Sequence, residues 1–85
     1  MSRTLTLLGK PDCHLCHEME QVAAPVLAEY GATLALRDVR EDPETRRLYL
    51  LEIPVLLLGG SEVARHRVTA AALRARLEAL GLTRS

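Results

Sequence analysis

The sequence predicts an α/β fold, a single four-stranded mixed sheet flanked by helices in the order β-α-β-α-β-β-α. Three observations carry this. Short apolar runs at 4–8, 33–36 and 55–58 read as strands, because they are brief and bounded by glycine or proline. The stretches between and after them carry helical periodicity or helix-start signals. Gly59-Gly60, directly after the third run, suits a tight turn, so a fourth strand should pair back as a hairpin.

The first strand, from Thr4 to Leu8, is ended by Gly9. Gly9 to Asp12 form a tight loop, with Pro11 placed to enter a turn or a helix start. From Leu15 onward, Leu15, Met19, Val22, Val26 and Tyr30 recur at three- and four-residue steps, while Glu18, Glu20, Gln21 and Glu29 fall elsewhere. That is an amphipathic helix, and Gly31 ends it. Pro25 removes the amide that would bond to the Gln21 carbonyl, so a kink is expected there. The second strand runs on from Leu36 through Arg37-Asp38-Val39. Asp42-Pro43 joins a capping carboxylate to proline at the first helical position, starting a short helix that reaches about Leu50.

Ile53-Pro54 breaks that helix before the third strand. Glu62 to Arg67 is the returning arm of the hairpin. Thr69 caps a last helix with Leu73, Leu77 and Leu80 on one face, closed by Gly81. Met19, Tyr30 and Tyr49 occupy apolar faces and are read as core, and His66, on the hairpin, as structural. The opening strand–helix–strand unit should be parallel and right-handed. The hairpin joins the same sheet, antiparallel, because no other surface covers its apolar face.

Eighty-five residues make one domain, 1–85, which buries roughly 60–65% of the surface its unfolded chain exposes. Eleven basic and eleven acidic residues cancel, so a nucleic-acid or membrane partner has no support. An aromatic content of 2% also argues against base-stacking surfaces. The run from Leu5 to Leu8 is too brief for a signal-peptide core, and nothing approaches transmembrane length. A cytoplasmic monomer is expected, and in that compartment paired cysteines are more often catalytic or metal-binding than structural.

Both cysteines lie in Lys10-Pro11-Asp12-Cys13-His14-Leu15-Cys16-His17, between the first strand and the first helix. A thiol at a helix start meets unpaired N–H groups and the positive end of the macrodipole, which favour its thiolate. Cys13 precedes the first turn and is the candidate nucleophile. Cys16, one turn inward on the same face, is placed to attack a mixed disulfide on Cys13 and release the reduced substrate. Lys10, His14 and His17 add positive charge, Asp12 opposes it, and His14 is placed to tune the redox poise. Arg37, Arg65 and Arg67 are further sources of positive charge.

Two other chemistries share the motif. Cys13-His14-Leu15-Cys16-His17 matches the c-type haem attachment pattern, against which stand the missing signal segment and the lack of aromatic pocket walls. Alternatively, Cys13 could ligate an iron–sulfur cluster shared between two chains, or the thiolates could bind zinc with His14 or His17. A closed zinc site normally takes a second ligand pair, and only His66 remains. No metal site is assigned.

The element order, the Cys-x-x-Cys that opens the first helix, and Ile53-Pro54 before the third strand resemble the thioredoxin-fold superfamily at glutaredoxin size. Lys10-Pro11-Asp12-Cys13 resembles the glutaredoxin pattern of a basic residue three positions before the nucleophile. The stretch from Cys13-His14-Leu15-Cys16 through Ile53-Pro54-Val55-Leu56 is similar to a bacterial glutaredoxin-like family, and the resemblance covers nearly the whole chain. It implies a small thiol–disulfide oxidoreductase with no bound organic cofactor. Its implied electron source is glutathione, as reductant or co-substrate, or a thioredoxin-type reductase. Its implied substrates are disulfide-containing proteins or glutathione mixed disulfides.

The resemblance also implies a cis bond before Pro54, turning the Ile53 backbone outward beside Cys13 to pair with an extended substrate. Lys10 would then hold a glutathione carboxylate. The sequence departs from the family pattern at several points. His14 and Leu15 replace the Pro-Tyr of dithiol glutaredoxins and the Gly-Pro of thioredoxins. Where glutaredoxins place Gly-Gly and an acidic residue before the last helix, this chain has Ala64-Arg65-His66-Arg67-Val68. No tryptophan precedes the pair, and the first strand has no buried aspartate of the thioredoxin kind to act as base for Cys16.

Overall fold

The computed structural model describes residues 3–84. Seven elements follow one another: β1 (Thr4–Gly9), α1 (His14–Glu29), β2 (Thr33–Asp38), α2 (Pro43–Tyr49), β3 (Val55–Leu58), β4 (Ser61–Arg65) and α3 (Ala70–Ala79). The four strands form one sheet in the order β2-β1-β3-β4. β1 and β2 are parallel from Thr4↔Thr33 to Gly9↔Asp38, and β3 is antiparallel to both β1 and β4. Element order and mixed pairing are those the sequence predicts.

Alternation along β1 makes the two layers. Leu5 and Leu7 lie in the larger core with Met19, Val26 and Leu27 of α1 and Leu73 and Leu77 of α3. Leu8 belongs to a smaller cluster with Val39 and Val55, against which Tyr49, Leu50, Ile53 and Leu57 pack. Each fully buried leucine contributes about 1.5–3 kcal/mol relative to an exposed one. Tyr30, also fully buried, closes α1 and donates its hydroxyl hydrogen bond to Glu78 of α3. Next to it, Glu29 accepts from Arg74 and Arg84, tying α1 to α3 and the residues beyond.

The buried face of α1 is rotated from the predicted one. Cys16, Met19, Ala23, Val26 and Leu27 are buried, whereas Leu15 and Val22 are only half-buried. Cys16 and Ala23 are small, so a periodicity drawn through large side chains passes over them. Helix α1 continues through Pro25, which is exposed, to Glu29. The predicted face of α3 is corrected at its end: Leu80 is the C-cap and 42% exposed. Gly81, at φ 93, reverses the chain so that Leu82 folds back on the core instead. The Leu82 amide donates to the Leu77 carbonyl, as such a left-handed helix ending requires.

Asp42 caps α2 by accepting from the Thr45 amide and hydroxyl at 2.9 and 3.0 Å, ahead of Pro43. In the hairpin Gly59 takes φ 59, Leu58 pairs with Ser61, and the register shifts between Leu56 and Leu57. β4 ends at Arg65, opposite Val55, the first residue of β3, so His66 and Arg67 lie beyond the strand they were predicted to complete. His66 adopts φ 65 and donates its amide to the Pro54 carbonyl at 2.8 Å. Among the described residues no helix is long and apolar enough to cross a membrane.

Candidate active site

After Gly9 the chain turns through Lys10, Pro11 and Asp12, and the Cys13 amide closes the turn on the Lys10 carbonyl at 3.2 Å. Cys13 is the N-cap of α1: its backbone is extended (φ −100, ψ 106) and its Sγ accepts the Cys16 amide hydrogen at 3.1 Å. A sulfur takes the place usually filled by a hydroxyl or carboxylate oxygen. It faces the unpaired amides of the first turn, and no acidic residue lies in that turn to oppose an anion. An ionised acceptor gains more from such a bond than a neutral one, so the site favours thiolate over thiol.

Cys16 lies one turn further on, 6% exposed, and is joined to Cys13 by a disulfide with the Cα atoms 5.2 Å apart. Cys13 is the more exposed of the two. The outer sulfur can meet a substrate, while the inner one faces the protein. Gly9 makes the room for it: a Cβ there would stand 2.9 Å from the Cys16 Sγ.

Leu8 pairs with Val55, so Pro54 stands level with the end of β1 from which the cysteine loop departs. The Ile53–Pro54 peptide is cis and Pro54 is buried. The Ile53 side chain packs on the Leu8–Val39–Val55 cluster, and among the described residues no other backbone group engages its backbone. Glu52 anchors this segment: its carboxylate accepts from Arg65 Nη1 at 2.9 Å and from His66 Nε2 at 3.1 Å. Glu62 also grips Arg65 and, more than any other group, holds its guanidinium above the usual range. Sequence reasoning gave Glu52 no role and left Arg65 as free charge. These pairs join residues 13 and 14 positions apart, which no local pattern signals.

The remaining selected residues divide between the two flanks of β1. Lys10 lines a groove of about 210 Å³ with Cys16, His17, Glu20, Arg37 and Asp38. That groove lies on the β2 side, whereas Ile53 and Pro54 stand on the β3 side. Asp12 is exposed and interacts electrostatically with Arg40. His14 is exposed, its Nε2 3.7 Å from Glu18, and His17 donates its Nε2 hydrogen to the Pro11 carbonyl at 2.8 Å. Arg40 grips Asp38 through its side chain and its amide, holding that carboxyl down to about 2. Among the described residues no three His, Cys, Asp or Glu side chains are grouped to hold a metal ion.

The model of the glutaredoxin-like domain (DUF836) matches residues 4–78. The chain belongs to this glutaredoxin-like family. It is similar to a structural-genomics target protein from X. campestris at 34% identity, covering 88% of this chain and 96% of that one, with a TM-score of 0.65. The structure of a malarial protein, 19% identical, covers 93% of this chain and 97% of its own with a TM-score of 0.66, a likeness of fold alone. No curated protein matches the chain. A glutaredoxin-like domain whose two cysteines stand at disulfide distance fits a thiol redox role.

Proposed function

We propose that the protein is a thiol–disulfide oxidoreductase in which Cys13 is the nucleophile and Cys16 the resolving thiol. The observation that carries this reading is the Cys13 sulfur at the N-cap of α1, accepting the Cys16 amide and within bonding reach of a second, buried sulfur. The Cys13 thiolate attacks a substrate disulfide. A Cys13–substrate bond forms as the substrate's S–S bond breaks, and the departing thiolate takes up a proton. Cys16, as thiolate, then attacks the Cys13 sulfur, forming the Cys13–Cys16 bond and expelling the second substrate thiolate. The substrate gains two electrons and the pair loses two. Two glutathione thiols, or a thioredoxin-type reductase, return the pair to its dithiol form, and no bound organic cofactor enters any step.

The substrates are disulfide-containing proteins or glutathione mixed disulfides. The Ile53 backbone, unused by other backbone groups and at the cysteine end of the sheet, offers an extended substrate a donor and an acceptor. Pro54 has no N–H to compete there. Lys10 supplies the charge for a substrate carboxylate, His14 favours the thiolate form, and Asp12 opposes it. The protein acts as a monomer in the cytoplasm, where thiol pools keep such pairs cycling. A redox titration followed by mass spectrometry tests the reading: an intramolecular Cys13–Cys16 bridge should form and disappear in one two-electron transition. A pair that never bridges at any potential ends the dithiol mechanism.

A further inference from the structure

We infer that Glu20 is the proton acceptor that turns Cys16 into a thiolate for the resolving step; this rests on the dithiol reading above. Cys16 is 6% exposed, and burial disfavours the charged form of a thiol. The amide that serves Cys13 at the helix start does nothing for Cys16. Its proton must go elsewhere before it can attack. Cys16 nevertheless forms part of the wall of the groove between α1 and β2, so a path to a base exists.

Three groups in that wall can take up a proton, and two are set aside by their partners or by their place on the helix. Both Asp38 oxygens are bound to Arg40, and a carboxyl held near 2 keeps a proton poorly. His17 is exposed, donates its Nε2 hydrogen to the Pro11 carbonyl and, as the residue next to Cys16, does not share the helix face of that sulfur. Glu20 remains. It is half-buried, lines the groove, and among the described residues no hydrogen bond or ion pair engages its carboxylate.

Helix geometry aims it at the right sulfur. Residues four apart on a helix have their Cβ atoms about 5–6 Å from one another. Helical side chains lean toward the N-terminus, so Glu20 covers the turn that bears Cys16. A groove of about 210 Å³ has room for water, which needs about 10–15 Å³ of such space. The proton passes from Cys16 Sγ to a Glu20 oxygen, directly or through one such water. The freed electron pair attacks the Cys13 sulfur, the Cys13–Cys16 bond forms, and the expelled substrate thiolate takes a proton from solvent. Glu20 then returns its proton to solvent through the groove. Lys10 and Arg37, the cations of the same wall, line the groove onto which the thiolate opens, Arg37 also lying 3.9 Å from Glu41.

Stopped-flow reaction of the reduced full chain with dithiobis(nitrobenzoate) tests this. Attack by Cys13 releases one thionitrobenzoate and leaves a second on Cys13; attack by Cys16 releases the second, so each step has its own absorbance phase. Glu20→Gln should slow the second phase on the order of 100-fold near neutral pH, the low end of what a positioned base contributes. Its rate should converge on that of the wild type at alkaline pH, where Cys16 ionises unaided. A first phase at the wild-type rate, with an unchanged far-ultraviolet circular dichroism spectrum, shows that the variant is folded. A second phase as fast as that of the wild type overturns the inference. So does a faster one, because a carboxylate acting only through its charge would hinder the thiolate. If the wild-type adduct never releases its second thionitrobenzoate, the dithiol reading fails together with this inference, and no variant is needed to see it.

Discussion

Gly9 faces Cys16 so closely that a methyl group on its Cα would lie 2.9 Å from the sulfur and 3.0 Å from the Cβ. Neither side can move away cheaply. Gly9 is paired with Asp38, and its carbonyl accepts the Val39 amide at 2.8 Å; Cys16 is bonded to Cys13. Gly9→Ala is therefore an overpacking change, expected to cost about 1–3 kcal/mol in denaturant unfolding of the oxidised protein. The reduced variant should also bridge more slowly, since the methyl group displaces the inner sulfur. An unchanged midpoint and bridging rate would show that α1 yields there without cost.

Acid should weaken the fold through two carboxylates. Arg74, chiefly by side-chain hydrogen bonds, brings Glu29 down to about 2 against the opposing effect of burial, with Arg84 adding to it. Arg40 does the same for Asp38, also to about 2. A lowered native pKa makes the unfolded chain the stronger proton binder as pH falls. The stabilisation is thus complete above the ordinary carboxylate range near 4 and is lost between there and about 2. Both pairs are partly exposed, so the loss is modest and shrinks in salt. Glu29→Gln should lower the thermal midpoint at neutral pH and flatten its decline in acid. A variant with the wild-type acid slope would remove Glu29 from the account.

The correction at the end of α3 makes a sharp comparison. Leu73 is fully buried between α3 and the sheet, so Leu73→Ala should cost about 2–5 kcal/mol. Leu80, three and seven positions from the other two leucines of the predicted stripe, is 42% exposed. Leu80→Ala should change stability by less than about 0.5 kcal/mol. Equal losses in denaturant unfolding would restore the stripe drawn from the sequence.

What the sequence makes legible is what neighbouring residues decide. Asp42-Pro43 and Thr69 start helices through bonds only three residues long, and Gly81 reverses the chain by its own φ. The cysteine pair is equally local, since an N-cap and the residue one turn beyond it are fixed by helix geometry. The rest depends on register. The inward place of Cys16 is legible, but the bare Gly9 that leaves room for its sulfur is a contact between β1 and α1 that no local pattern signals. His66 lies outside β4 because its partner strand β3 begins only at Val55, opposite Arg65. Lys10 and Pro54 fall on opposite flanks because β1 lies between β2 and β3.

The helix start should make Cys13 react first and at unusually low pH. In the reduced protein iodoacetamide should label Cys13 well before Cys16, since Cys16 is 6% exposed. The labelling rate of Cys13 should reach half its plateau below the ordinary thiol value of about 8.5. Cys16→Ser should leave that midpoint in place, because the bond to the Cys13 sulfur comes from the backbone amide at position 16 and not from its side chain. Salt separates this source from its rivals. The fields of Lys10 and His14 act through solvent and are screened, whereas a direct amide hydrogen bond at 3.1 Å is not. A midpoint that stays low in concentrated salt locates the effect in the first turn of α1. A midpoint that climbs back to the free-thiol value would assign it to the surrounding charges, and one that never departed from that value would leave Cys13 an ordinary thiol.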